Sequence, residues 1–240
     1  MYARDRNCAK HESWNRVSFQ QDYLLRMIQD MSAFMTRIVQ LRREKKSEDA
    51  LLLLADETTK LSGIPPSLVY ALSDDDLIET LQAGGAMEGV RCHSLGELFR
   101  EEGEIYEERG EHGEALLRFT KAARLYGEAL SRAEGDETLP TVEGVRATLA
   151  LTHAADLPVA TIDLLIEELL EHDVYDLVDN MLFELLQDAP DAELSRLAVE
   201  AYRIMLTASD EALSAAGLER IEIESSLNGL VGEQTPIGSA

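Results

Sequence analysis

The chain has 240 residues, 45% of them hydrophobic and only 5% aromatic, with a formal net charge of −24. That length and apolar share are enough for a substantial core, and the richness in Leu, Ala and Glu predicts an all-α protein. The acidic balance argues against nucleic-acid binding through clustered Lys and Arg, and with no run of about 18 apolar residues no membrane span is expected.

The charge is uneven. Residues 1–60 hold 11 Lys and Arg against 9 Asp and Glu, while residues 61–240 hold 11 against 37. A basic partner would be drawn to the later three-quarters of the chain. Cys8 and Cys92 do not form a disulfide framework, and no secretory leader is read, so a cytoplasmic location is expected.

Residues 1–18 are polar and aperiodic and read as a disordered N-terminal extension. From Phe19, a broad apolar stripe runs through Tyr23, Met27, Ile28, Met31, Phe34, Met35, Ile38 and Leu41. The basic run Arg42, Arg43, Lys45 and Lys46 then suits the negative end of a helix dipole. Met27, Met31 and Met35 make that stripe an adaptable surface on which a homodimer could form, although core packing explains them equally well. A second helix, with Ser47 as N-cap and Glu48 and Asp49 in its first turn, completes a hairpin that ends at Gly63, Pro65 and Pro66. Ser73 caps the short helix DDDLIETL, and Gly84–Gly85 break the chain after it.

The central stretch, Ser94 to Leu130, reads as two helices and a tight turn. Phe99, Gly103 and Tyr106 recur at i, i+4 and i+7, and Ala115, Phe119 and Ala122 repeat that spacing after Gly110, which accepts the positive φ of a helix end. Gly103 and Ala115 are expected to let the backbones approach while Phe99, Tyr106 and Phe119 fill the space beside them. Pro140 then opens a helix. A third hairpin follows Pro158, with stripes at Ile162, Leu165, Ile166 and Leu169 and at Val178, Leu182 and Leu185, Asp173 in its turn and Pro190 closing it. Residues 191–207 form a further amphipathic helix, Ser209 caps the short last pieces, and residues 231–240 read as a flexible tail. Residues 19–230 are expected to form a single all-helical domain.

The seven positions Phe99, Gly103, Tyr106, Gly110, Ala115, Phe119 and Ala122 resemble a tetratricopeptide repeat. Glu102 stands where the repeat prefers leucine, and Gly127 where it prefers a helix-ending proline. The positions that follow the three turns, Ala50, Ala115 and Val178, lie 65 and 63 residues apart, so the hairpins are no simple tandem array. Phe19 to Leu230, with its QDYLLRMI, SDDDLI, EEGEIYEERGE and LFELL segments, is similar to a family of uncharacterised bacterial tetratricopeptide-like proteins. The resemblance implies stacked antiparallel hairpins in a short right-handed superhelix, and no established activity. It also implies that the first helix of the hairpin lines a concave face. The partner-binding positions are then Glu97, Arg100, Glu104, Glu107 and Glu108, with Glu128 nearby from the second helix. Five carboxylates against one arginine would favour a basic peptide or protein.

No GxSxG elbow, P-loop or GxGxxG is present, and none of the five histidines follows a glutamate by three positions. Cys8 with His11 and Cys92 with His93 offer a zinc set of which half lies in the extension read as disordered, and Cys92 reads better as a small core residue. His112 is expected to be exposed, and His153 and His172 to sit near helix ends. The expectation is a non-catalytic interaction scaffold without cofactor or metal. The alternative is a helical-bundle enzyme or metal-binding protein whose site is assembled from scattered Glu and His.

Overall fold

The computed structural model describes residues 31–82, 88–133, 138–188 and 192–233, and every regular element among them is helical. The chain divides into two compact units, residues 1–54 and 55–240. In the first unit, α1 occupies residues 31–43, and α2 begins at Ser47 and runs to Ser62. Ile38, Leu41, Ala50 and Leu54 are buried, in keeping with the apolar spacing of both helices.

The second unit continues with α3 (Pro66–Ala71), α4 (Asp74–Gln82), α5 (Glu88–Glu108), α6 (His112–Leu130) and α7 (Thr138–Leu149). After a 3-10 turn at Ala154–Asp156 come α8 (Val159–Glu171), α9 (Tyr175–Asp188), α10 (Ala192–Met205), α11 (Asp210–Ala215) and α12 (Arg220–Glu233). The hinge of this arrangement is α6, which packs against α4, α5, α7 and α8. Its second half is buried without interruption from Leu125 to Leu130, which explains why helical periodicity fades there.

Four helix ends share one backbone device. Lys45, Gly110, Asp173 and Gly217 adopt left-handed φ values of 58°, 75°, 59° and 75°. The amide after each donates to the carbonyl five residues back: Lys46 to Leu41, Glu111 to Tyr106, Val174 to Leu169 and Leu218 to Leu213, at 2.8–2.9 Å. The left-handed residue donates to the carbonyl three back, as Gly110 does to Glu107 at 3.0 Å. This is the Schellman geometry, which satisfies carbonyls that a helix end leaves open. Three of these turns fall where the sequence places them, and the fourth, at Gly217, adds a reversal between α11 and α12.

Several boundaries differ from expectation. The helix read from Ser94 begins at Glu88, and the one read from Pro140 begins at Thr138, so the proline lies inside the first turn, where its missing N–H has no intrahelical acceptor in any case. The last helix reaches Glu233, three residues into the expected tail. The expected caps at Ser73 and Ser209 are present, accepting from the amides of Asp76 and Ala212 at 3.2 Å each. The expected break at Gly84–Gly85, the closing Pro190 and the extension 1–18 lie outside the described residues.

Candidate functional site

Gly89, Gly96 and Gly103 recur every seven residues along α5 and present a bare stripe to α6. A Cβ at Gly89 would stand 3.3 Å from Arg132 Cβ, one at Gly96 2.8 Å from Tyr126 Cε1, and one at Gly103 2.6 Å from Phe119 Cδ1. These contacts advance along α5 while they retreat along α6, so the two helices run antiparallel at close range. The partner of Gly103 is thus the Phe119 ring, and Ala115 sits one turn away, 1% exposed.

Tyr126, which the sequence reading passed over, is the side chain on which α5, α6 and α7 converge. Its ring is fully buried between Gly96 and Gly144, where a Cβ would lie 2.6 Å from Tyr126 Cζ. Its hydroxyl donates to Glu97 Oε1 at 2.7 Å, and the His93 ring lies 5.8 Å away. Burial, reinforced by Glu97, holds the Tyr126 hydroxyl well above its ordinary pKa, so it stays protonated as a donor. Burial pushes Glu97 upward too, but Arg100 and the Tyr126 hydroxyl outweigh it and leave the carboxyl below the usual range.

A second buried cluster forms at Glu102, only 2% exposed. Its carboxylate accepts from the Tyr70 hydroxyl at 2.7 Å and from Arg118 Nε at 3.0 Å. The Arg118 guanidinium stacks 4.5 Å from the Tyr70 ring centre and 5.3 Å from that of Tyr106. Tyr70 also meets Phe99 edge to face at 6.0 Å. Burial raises the Glu102 pKa, and its hydrogen bonds from Tyr70 and Arg118 offset this only in part. Glu102 is the acceptor that Arg118 and Tyr70 share, and at Gly127 Leu164 Cδ2 of α8 comes within 2.7 Å of where a Cβ would be.

Arg118 begins a stripe of cations on α6. Lys121 reaches the Leu72 carbonyl at 2.8 Å and Asp74 at 3.0 Å, and Arg124 reaches Asp75 at 3.2 Å. The three charges fasten α3 and α4 onto the hairpin and leave little positive charge on this side for an outside partner.

The six expected face residues separate into groups. Arg100 draws Glu97 and Glu104 together, bonding Glu97 at 2.9 Å and Glu104 directly, with Glu101 at 3.1 Å. Glu128 is buried at 8% exposure and held between Arg124 at 3.1 Å and Arg132 at 2.5 Å. Glu107 and Glu108 are exposed at the hairpin tip, where Glu107 meets the exposed His112 at 2.9 Å and Arg109 meets Glu111 at 2.6 Å. Glu114, on the next turn, is also exposed. The tip therefore carries the carboxylates that face solvent, while those further along α5 serve internal pairs.

Cys92 is fully buried. His93 accepts or donates at Thr141 Oγ1, 3.2 Å away, and burial lowers its pKa. His172 donates to the Leu130 carbonyl at 3.1 Å, near the end of α8, and His153 precedes the 3-10 turn. Cys8 and His11 lie outside the described residues. Among the described residues no group of three His, Cys, Asp or Glu is placed to hold a metal ion, and no helix is long and apolar enough to cross a membrane.

Residues 18–235 match a family of unknown function, DUF6483, and the chain belongs to that family. No curated protein and no solved structure matches it.

Proposed function

We propose that the protein is a non-catalytic scaffold of tetratricopeptide-like hairpins, set as a short right-handed superhelix, whose acidic hairpin tip receives a basic segment of a protein partner. The observation that carries this reading is the division of carboxylates along α5 and α6. Glu97, Glu102 and Glu128 are held in internal pairs away from solvent, whereas Glu107, Glu108 and Glu114 are exposed, Glu107 beside His112 and Glu114 3.5 Å from Arg118. Exposed carboxylates on a chain this acidic accelerate encounter with a basic partner and repel acidic competitors. The shared turn geometry at Gly110 and Asp173 supports treating α5–α6 and α8–α9 as related hairpin units.

Capture from an extract of the native host on the immobilised full chain tests the reading, with the triple substitution Glu107→Gln, Glu108→Gln and Glu114→Gln alongside. Partners retained by the wild type should be lost from the variant. Equal retention by both proteins would contradict the acidic tip as the docking site.

A further inference from the structure

The face of α10 that points away from the core carries a charge pattern that is complementary to itself. α10 buries Ala198, Ala201, Tyr202 and Met205, packing on α8, α9 and α12. Its outer side presents Arg196, Glu200, Arg203 and Ile204, all exposed, around a shallow depression that also includes Val199 and Thr207. Arg196, Glu200 and Arg203 make no ion pair among the described residues, although they stand at helical neighbour spacings. This sets them apart from the stripe on α6, where Arg118, Lys121 and Arg124 are all engaged.

The charged residues of this face are Glu193, Arg196, Glu200 and Arg203, with signs minus, plus, minus, plus and intervals of three, four and three. At about 100° per residue they fall within an arc of about 80°. Read backwards, the intervals are the same and every sign is inverted. A second α10 laid antiparallel on the outer face, with the two-fold axis at the level of Ala198 along the helix, therefore sets its Glu200 opposite Arg196 and its Arg203 opposite Glu193. A parallel copy in register would oppose like charges, and a uniformly acidic or basic partner would meet repulsion at every other position.

We propose that this face is where two copies of the chain meet, α10 against antiparallel α10, in an isologous contact. The surface is one helix wide, at the small end of interface sizes, and its charge pairs are solvent-exposed, so the association is weak and salt-sensitive.

Sedimentation velocity on the full chain, over protein concentrations up to about 100 µM and in about 0.05 M and about 0.5 M salt, reads the association directly. The wild type should dimerise with rising concentration at low salt and less at high salt. Arg196→Glu or Glu200→Arg alone creates two like-charge contacts through the symmetry, and each should weaken the dimer by about tenfold or more. The double variant Arg196→Glu/Glu200→Arg should dimerise like the wild type. An equimolar mixture of the two single variants should form a heterodimer, because each then presents one sign to the other. A wild type that stays monomeric at low salt overturns the proposal and leaves the face to another segment of the chain or to a foreign partner. A dimer indifferent to both single substitutions also overturns it and places the contact elsewhere, for instance on the Phe19–Leu41 stripe.

Discussion

The Phe119 ring occupies the space a side chain at Gly103 would need, with Phe119 Cδ1 2.6 Å from the position of a Cβ there. Alanine favours a helix interior over glycine by about 1 kcal/mol, but overpacking a filled core loses about 1–3 kcal/mol. The ring cannot withdraw easily, because Phe119 is itself 2% exposed. Gly103→Ala should therefore lower stability by up to about 2 kcal/mol net. Gly229→Ala in α12, where nothing lies within 4 Å, should instead raise it by up to about 1 kcal/mol. Urea unfolding of the two variants checks both signs, and a stabilised Gly103→Ala would contradict the packing described for the hairpin.

The Glu102 cluster predicts a non-additive pair. Glu102→Leu restores the residue that the repeat pattern prefers, but it leaves the Arg118 guanidinium, whose side chain is only 10% exposed, with only the longer 3.5 Å pair to the exposed Glu114, and it leaves the Tyr70 hydroxyl without its acceptor. The single substitution should lose about 2–3 kcal/mol, since it removes the close, buried partner of the Arg118 charge and leaves only a longer, solvent-exposed one. Glu102→Leu combined with Arg118→Leu should recover most of that loss, because a well-packed apolar pair often replaces a buried ion pair with little penalty. A double-mutant cycle in urea measures the coupling, and simple additivity would contradict it.

These two positions mark the limit of what the sequence discloses. Helical spacing identifies the buried faces of α5 and α6, and Gly110 and Asp173 announce their turns through residue type and position. Spacing does not say what each face meets. Tyr70 and Glu102 are 32 residues apart, Glu102 and Arg118 are 16 apart, and Tyr126 meets Gly144 from a different helix. The pairing of the acidic face is hidden from spacing in the same way. Arg124 and Arg132 fold onto Glu128 from their own helix, and Arg100 bonds Glu97 and Glu104 at once. The seven-residue glycine stripe was present in the sequence, and its regularity was the one local signal that pointed to the close approach of α6.

The turns predict opposite effects of opposite substitutions. Lys45 holds a left-handed conformation that glycine adopts without a Cβ penalty, and Gly110 holds it already, with open space around the Cβ position. Lys45→Gly should stabilise and Gly110→Ala destabilise, each by about 1 kcal/mol. Thermal unfolding monitored by circular dichroism reads both changes. A neutral Gly110→Ala would show that the φ of that turn is not held by the packed helices.

Glu168 predicts a pH dependence. It is 8% exposed, its Oε2 has no hydrogen-bond partner, and burial together with Glu171, Glu167 and Glu128 raises its pKa against a small opposing effect of His172. A carboxyl that holds its proton more tightly when folded favours the folded state below the ordinary carboxylate pKa and loses that advantage as pH rises through the folded value. Glu168→Gln removes the buried charge and should stabilise the protein by about 1 kcal/mol near pH 8. The gain should vanish near about pH 3, where the carboxyl is protonated in both states of the wild type. Urea midpoints at the two pH values separate this outcome from a uniform effect of the substitution, which would contradict it.

The placement of the docking site is tested most directly by hydrogen–deuterium exchange on the full chain with and without a captured host partner, at low salt. The account predicts new protection concentrated at the tip, from the last turn of α5 through Glu114, and its loss when the salt is raised to about 0.5 M, where the screening length falls to a few ångströms. Protection that leaves residues 104–114 unchanged, or that persists undiminished in high salt, would contradict it.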